Sequence, residues 1–375
     1  MRIALFSGNY NYVREGANQA LNRLVGYLEK AGHHARVYSP VTDTPAFEPT
    51  GTLIPVPSIQ LPVRGEFRLA LGLPHAIKRD VAAFVPDLIH VATPDILCTR
   101  AQTFAKSIGV PVIASLHTLF ETYPAYYGIG WIRPAIEAHL RRFYRRSDMV
   151  LVPTPGLAAE MKATRGDDRV RVWSRGIDRD RYNPARRDPA SRIRLGFADD
   201  DVAILFLGRL VAEKGVDVFA ATVRLLQAAG QKVRPLVVGA GPAARVFEAI
   251  PGAVLTGHLD GEDLATAIAS ADIMLTPSTT ETFGNVVLEA MASGLVIVSA
   301  DAPSARALLE DGTTGLLCTP TDPHAYAAAI ATLIAAPERR HALGAAAREA
   351  SGAYSWDAAS RSVEQAYAET LASAR

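Results

Sequence analysis

The chain has 375 residues, 49% hydrophobic and 21% charged, with a net charge of +1 at pH 7. It is too long for one ordinary core and too balanced for a disordered or fibrous chain, and no apolar run reaches the ~20 residues of a membrane helix. The charge is divided unevenly: residues 1–187 carry 25 Lys and Arg against 16 Asp and Glu, and residues 188–375 carry 14 against 22.

A basic half can face nucleic acid, anionic lipid or a small anion. The cations are dispersed except around Arg133 to Asp148, which argues against a nucleic-acid groove. Cys98 and Cys318 lie far apart without metal spacing and read as core residues of a reduced, cytoplasmic protein. The opening MRIALFSGNYNY reaches a polar turn too soon for a signal peptide and reads as a buried first strand.

Strand-like segments follow at Ile3–Phe6, Ala35–Tyr38, Leu88–Val91, Val112–Ser115 and Met149–Val152, with helical patterns between most of them. The rhythm repeats at Ala203–Leu207, Pro235–Val238, Ala253–Leu255, Ile273–Thr276, Leu295–Ser299 and Leu316–Cys318. Short apolar strands alternating with helices predict βαβ units and buried parallel sheets, hence an α/β protein of two Rossmann-like, doubly wound domains. The polar, proline-bearing stretch Asn183–Pro189 predicts the boundary, giving domains over 1–187 and 188–354. A last helix in 355–375, from about Trp356, is expected to cross back onto the first domain.

Ligands of such sheets bind beyond the carboxyl ends of the strands, and two domains facing each other would share one cleft. The loops at those ends are therefore the places to search. Gly16 closes a polar loop after the first strand and can open a helix towards an anion. His117 follows the strand ending at Ser115, and Arg209 and Lys214 share the loop after Leu207. Gly239 and Gly241 make a tight turn after Val238 without the spacing of a dinucleotide fingerprint. Thr276 to Gly294 reads as strand end, polar loop and helix start, with Gly284-Asn285 at the start and Glu281 and Glu289 eight residues apart.

Arg209 and Lys214 suit a diphosphate, because a guanidinium bridges two phosphate oxygens and an ammonium adds a compact charge. The helix start at Gly284 offers unpaired N–H groups to the same anion. Glu281 and Glu289 would repel phosphate but accept hydrogen bonds from hydroxyls. Together these groups describe a nucleotide-diphosphate sugar. Taken singly, the two glutamates equally fit a solvated loop and helix, and the cations a solvated loop. Asp178-Arg179-Asp180 and Asp199-Asp200-Asp201 have the spacing of a metal-binding Asp-x-Asp but lie in charged, linker-like segments, so no metal or other cofactor is expected.

Gly208-Arg209-x4-Lys214-Gly215, Val238-Gly239-x-Gly241-Pro242 and Pro277-Ser278-x2-Glu281-x-Phe283-Gly284-x4-Glu289-Ala290-x2-Ser293-Gly294 resemble the donor-site motifs of the retaining glycosyltransferases of family 4, which have the GT-B fold. The resemblance implies that Arg209 and Lys214 hold the diphosphate and Glu289 the ribose. It also assigns the donor sugar to Glu281, and sugar and phosphate oxygens to the backbone of Phe283, Gly284 and Asn285. Gly16 is similar to the family's N-terminal glycine loop and His117 to a histidine near the reacting sugar. Arg175 is similar in place to a residue before the interdomain linker that is Asn in many members. The resemblance favours retention by front-face attack, which needs no enzyme nucleophile.

The segment His117 to Tyr127 resembles the members that glycosylate membrane lipids: mannosyl-, glucuronosyl- and sulfoquinovosyl-transferases. A GDP- or UDP-sugar donor, a lipid acceptor and an alpha-mannosyltransferase are thus the first expectations. Tyr123, Tyr126, Tyr127 and Trp131 can line an acceptor site or simply pack. Ile136, Leu140, Phe143 and Tyr144 share a helical face beside Arg141, Arg142, Arg145 and Arg146, which fits either peripheral contact with an anionic membrane or a core-packed helix with a solvated edge. A second basic, apolar stretch, Pro55 to Phe84, includes Arg64, Arg68, Lys78 and Arg79. The alternatives are a UDP-glucuronate- or other UDP-sugar-dependent lipid glycosyltransferase, an epimerase or phosphorylase on the same cleft, and a nucleotide-sugar-binding protein without turnover.

Overall fold

The computed structural model describes residues 1–60, 67–126 and 128–374, so that Arg64 and Tyr127 lie outside the described residues. The chain forms two compact units: Met1–Pro124 with Ile129–Gly176 and Trp356–Arg375, and Ala125–Gly128 with Ile177–Ser355.

In chain order the strands of the first unit are β1 (Arg2–Phe6), β2 (His34–Ser39), β3 (Thr52–Pro55), β4 (Ile59–Gln60), β5 (Arg68–Leu69), β6 (Leu88–Val91), β7 (Val112–Ser115), β8 (Met149–Val152) and β9 (Val170–Val172). Among the described residues its main sheet runs β3-β2-β1-β6-β7-β8-β9, every pairing parallel, with β4 and β5 forming a separate antiparallel pair. Alternate residues of one strand enter opposite cores, as the period of two requires. Ala4, Phe6, Ile89, Val91, Val112, Ala114, Val150 and Val152 line one face. Ile3, Leu5, Leu88, Ile113, Met149 and Leu151 line the other, under helices Gly16–Lys30 and Trp356–Ser373. The last helix supplies Ala359, Val363, Ala366 and Tyr367 to that core.

The second unit has β10 (Val202–Leu207), β11 (Val233–Val238), β12 (Val254–Gly257), β13 (Ile273–Thr276), β14 (Val296–Ala300) and β15 (Leu316–Cys318), in the parallel order β12-β11-β10-β13-β14-β15. Both sheets start in the middle and reverse direction once, between β1 and β6 and between β10 and β13. Loops on either side of such a switch point diverge and leave a crevice at the carboxyl edge. The segment after Gly176 already packs on the second unit: Arg187 donates to the carbonyls of Ala269 and Ala271, and the Asp188 N–H to Ser270 Oγ. β3, β9 and the two-residue strands β4 and β5 were not expected. β9 is three residues long, too short for a periodicity, and β3 ends on a proline.

Candidate functional site

In the second unit three neighbouring strands, β11, β10 and β13, bring their end loops together. The Gly208–Gly215 loop turns through a short 3₁₀ helix, Ala212–Lys214, into helix Val216–Ala228. It is stitched to its neighbours on both sides. Gly208 N donates to Val238 O and Leu210 N to Ala240 O, while Ser278 Oγ and Thr280 Oγ1 donate to Glu213 O. Gly239 has φ +145°, and a Cβ there would lie 1.8 Å from Gly208 O. Only glycine lets these two loops touch.

Across the switch point Lys214 Nζ donates to Glu281 Oε1, both side chains about one-fifth exposed. The two groups are 67 residues apart in the chain. Arg209 is partly exposed on the same loop as Lys214. The Phe283 side chain is buried against Tyr354 at 5.8 Å, leaving its backbone as the part that can face a ligand. Gly284, at φ +95°, then caps helix Asn285–Ala292. The first helical bonds run from Val287 and Leu288 N–H to Gly284 O, so Asn285 and Val286 N–H precede them. Asn285 Oδ1 is buried without a hydrogen-bond partner among the described residues.

Glu289 lies one helical turn further on, and burial pushes its carboxyl up to about 7, opposed by a hydrogen bond from Tyr182 and the charge of Arg181. Near neutrality it is therefore part ionised and part protonated. The Asp-x-Asp segments do other things. Asp178 Oδ1 accepts from Asp180 and Arg181 N–H in a turn, Asp200 pairs with Lys232, and Asp201 pairs with Arg234.

In the first unit the polar loop after β1 is closed by its own side chains. Tyr12 donates to Gly8 O, Tyr10 to Thr50 O, and Asn22 Nδ2 to Tyr10 O. It leads through Glu15 into the helix beginning at Gly16. Gly8 N donates to Thr93 Oγ1 across the β1–β6 switch point, and a Cβ on Gly8 would come within 2.4 Å of Asp95 Oδ2. At the end of β7, His117 is bonded through Nε2 to Ser115 Oγ at 2.8 Å and through Nδ1 to Arg175 Nη2 at 3.0 Å. This differs from a ring whose nitrogens await a sugar: both are engaged within the unit. Tyr123 packs at 6.2 Å from Phe120, Tyr126 is exposed, and Trp131 is 81% exposed.

Helix Arg133–Arg145 buries Leu140, Phe143 and Tyr144 in the first unit's core, with Ile136 packed against it. Its apolar face is thus spent on the core, and the face left outside is basic. Lys106, Arg141, Arg142, Arg145 and Arg146 line a shallow cavity of about 420 Å³. Among the described residues no helix is long and apolar enough to cross a membrane. The residues that the sequence reading missed are the partners: Tyr182, Ser115, His90 and Trp173. A histidine inside the four-residue apolar strand Leu88–Val91 was the available signal.

Residues 14–181 match the model of Glycosyltransferase Family 4, and residues 201–336 that of Glycosyl transferases group 1. The sulfoquinovosyl transferase SQD2 of Arabidopsis thaliana is 31% identical over 96% of this chain and 72% of its own length. A GDP-mannose-dependent alpha-mannosyltransferase of Mycobacterium tuberculosis is 33% identical over 84% of this chain and 83% of its own. Among solved structures, sucrose-phosphate synthase from Thermosynechococcus elongatus superposes with a TM-score of 0.78 at 21% identity, covering 99% of both chains.

Proposed function

The chain belongs to Glycosyltransferase Family 4, and from that premise we propose that it moves a hexose from a nucleotide-diphosphate sugar to a lipid hydroxyl with retention at the anomeric carbon. It is a glycosyltransferase with the two parallel α/β sheets of the GT-B fold. One observation carries the site assignment: the Lys214–Glu281 pair sits at the β10–β13 switch point, in the same unit as the helix start at Gly284 that leads to Glu289.

That pair is exchangeable. A donor diphosphate takes the ammonium of Lys214 and the guanidinium of Arg209, and the sugar hydroxyls take the carboxylate of Glu281 that Lys214 releases. The backbone of Phe283, Gly284 and Asn285 meets phosphate and sugar oxygens, Gly239 keeps its loop close, and Glu289 accepts from the ribose. When the anomeric C–O bond breaks, its electron pair goes to the diphosphate, where Arg209, Lys214 and the helix start stabilise it. No metal is invoked. The acceptor oxygen bonds to the anomeric carbon on the face being vacated, and its proton passes to the departing phosphate. The first unit binds the acceptor, with Gly16, His117, Tyr123 and Arg175 at its carboxyl edge.

Mannose from GDP-mannose is the first reading for the sugar, supported by the 33% identical relative; a UDP-sugar is the second. For the acceptor, the exposed Trp131 and the basic edge of the following helix suit an anionic membrane face, where each cation contributes on the order of 1 kcal/mol. Buried free Cys98 and Cys318 fit a cytoplasmic, peripheral enzyme. Thermal unfolding with GDP, UDP, GDP-mannose and UDP-glucose tests the donor: the true nucleotide raises Tm with concentration. Glu281→Ala should abolish transfer in a folded protein, and unchanged turnover would reject the site. Flotation with anionic vesicles tests the acceptor side, and absence of binding would remove its charge argument.

A further inference from the structure

A run of polar groups in the first unit links the segment after β9 to the last helix, Trp356–Ser373. Arg175 Nη2 lies 3.0 Å from His117 Nδ1, and His117 Nε2 lies 2.8 Å from Ser115 Oγ. The run continues from Ser115 Oγ to His90 Nε2 at 2.8 Å and from His90 Nδ1 to the Tyr367 hydroxyl at 2.7 Å. Register explains the alignment. His90 and Ser115 stand on the neighbouring strands β6 and β7, in the alternation that also carries Leu88 and Ile113 into the helix-covered core. The Trp173 ring walls the run, edge-on to both histidines at 6.0 and 5.2 Å, with Arg175 Cζ 5.1 Å from its centroid. His90, Ser115 and Tyr367 are fully buried, and Arg175 is 3% exposed.

The protons can be placed by counting donors. A guanidinium only donates, and burial lowers Arg175 no further than about 10, so it is charged at neutral pH. His117 Nδ1 must therefore offer its lone pair. Burial first, then the charge of Arg175, holds the His117 ring neutral, and a neutral imidazole has one N–H. That hydrogen sits on Nε2, directed at Ser115. Two arrangements complete the run: Ser115 donates to His90 and His90 to Tyr367, or Tyr367 donates to His90 and His90 to Ser115. The state of His117 is the same in both.

We propose that Arg175 is a positioning residue that holds His117 in its Nε2–H form with both ring nitrogens engaged inside the first unit, so that His117 meets the substrate as a fixed neutral ring and transfers no proton. The statement about the reaction rests on the glycosyl-transfer reading; the statement about the ring does not. Long-range proton–nitrogen spectra of the full chain with labelled histidines, assigned with His117→Asn and His90→Asn, read the ring directly at pH 7. His117 is expected as Nε2–H in the wild type and in Arg175→Lys, whose ammonium also only donates. Arg175→Gln, whose amide can accept, should populate the Nδ1–H form. An Nδ1–H or doubly protonated His117 in the wild type overturns the proposal, as does an Arg175→Gln spectrum identical to wild type. GDP release from GDP-mannose gives the second readout. Arg175→Gln should lower kcat on the order of tenfold with the donor KM unchanged, and Arg175→Lys should recover most of it. An unchanged kcat in Arg175→Gln overturns the positioning role. No release by the wild type rejects the mannose donor, and the spectra then decide the tautomer on their own.

Discussion

Lys214 and Glu281 in the second unit and His117 and Arg175 in the first stand at equivalent places, past the carboxyl ends of parallel strands, yet their polar groups are committed differently. The second unit keeps an ion pair with each side chain about one-fifth exposed, which an incoming phosphate and hydroxyl can take apart. The first unit bonds arginine, histidines, serine and tyrosine to one another, all but His117 buried. Exchangeable charge suits a ligand whose own charge grows during the reaction, whereas a closed run of bonded groups with a single buried cation suits holding a shape.

The contrast is broken most severely by Lys214→Ala. Under the proposed role of Lys214 at the leaving group, the loss should cost kcat/KM on the order of 10²–10³, by the scale of a lost electrostatic donor. Unfolding by circular dichroism should show the fold intact, and a drop of less than threefold would remove Lys214 from the site. Gly239→Ala attacks the backbone beneath the same site. Its Cβ meets Gly208 O at 1.8 Å in a φ that side chains rarely adopt, so the cost is about 1–3 kcal/mol or more, read as a lower Tm together with weaker nucleotide binding. Ser115→Ala is the matching change in the first unit. It leaves ring nitrogens of His90 and His117 unpaired and should cost about 1–3 kcal/mol of stability while donor affinity stays at the wild-type value. Altered donor affinity there would dissolve the contrast.

The smallest effect is a titration. The carboxyl of Glu289 is raised to about 7 in the folded chain, so its contribution to stability is greatest while it is protonated and is lost as pH rises from its ordinary range towards 7. Ribose hydroxyls prefer the ionised form. Nucleotide binding should therefore release a proton near pH 7, and affinity should fall by at most about tenfold per unit as pH drops from 8 to 6. Calorimetry in two buffers of different ionisation heat measures the release, and equal heats would reject the proposed Glu289–ribose contact.

Much of the second unit's candidate site was legible as loop motifs at strand ends: the Gly239 turn, the Arg209–Lys214 loop and the Gly284 helix start all fall where the apolar rhythm places them. The Lys214–Glu281 pairing was not legible, since no local period relates residues 67 apart. The first unit's run was hidden for another reason. Tyr367 shares a helical stripe with Ala359, Val363 and Ala366 and reads as core, and β9, which carries the chain to Trp173 and Arg175, is too short to show a pattern. The Arg133–Arg145 helix displayed its amphipathic face plainly, but the pattern alone does not distinguish a protein core from lipid as what covers that face.

The C-terminal helix carries a consequence for how the chain acquires its fold. Ala359, Val363, Ala366 and Tyr367 complete a core begun by Ile3 and Leu5, and the whole second unit is encoded between them. During synthesis at about 5–20 residues per second, the earlier unit must wait with one sheet face covered by helix Gly16–Lys30 alone while the later one is made and folds. The last helix's bonds reach back 337 positions, from Glu364 to Tyr27, which makes its closure slow and leaves apolar surface for chaperones to shield. Expression of residues 1–176 alone should therefore give an aggregating product, and adding 356–375 as a separate segment should rescue its solubility.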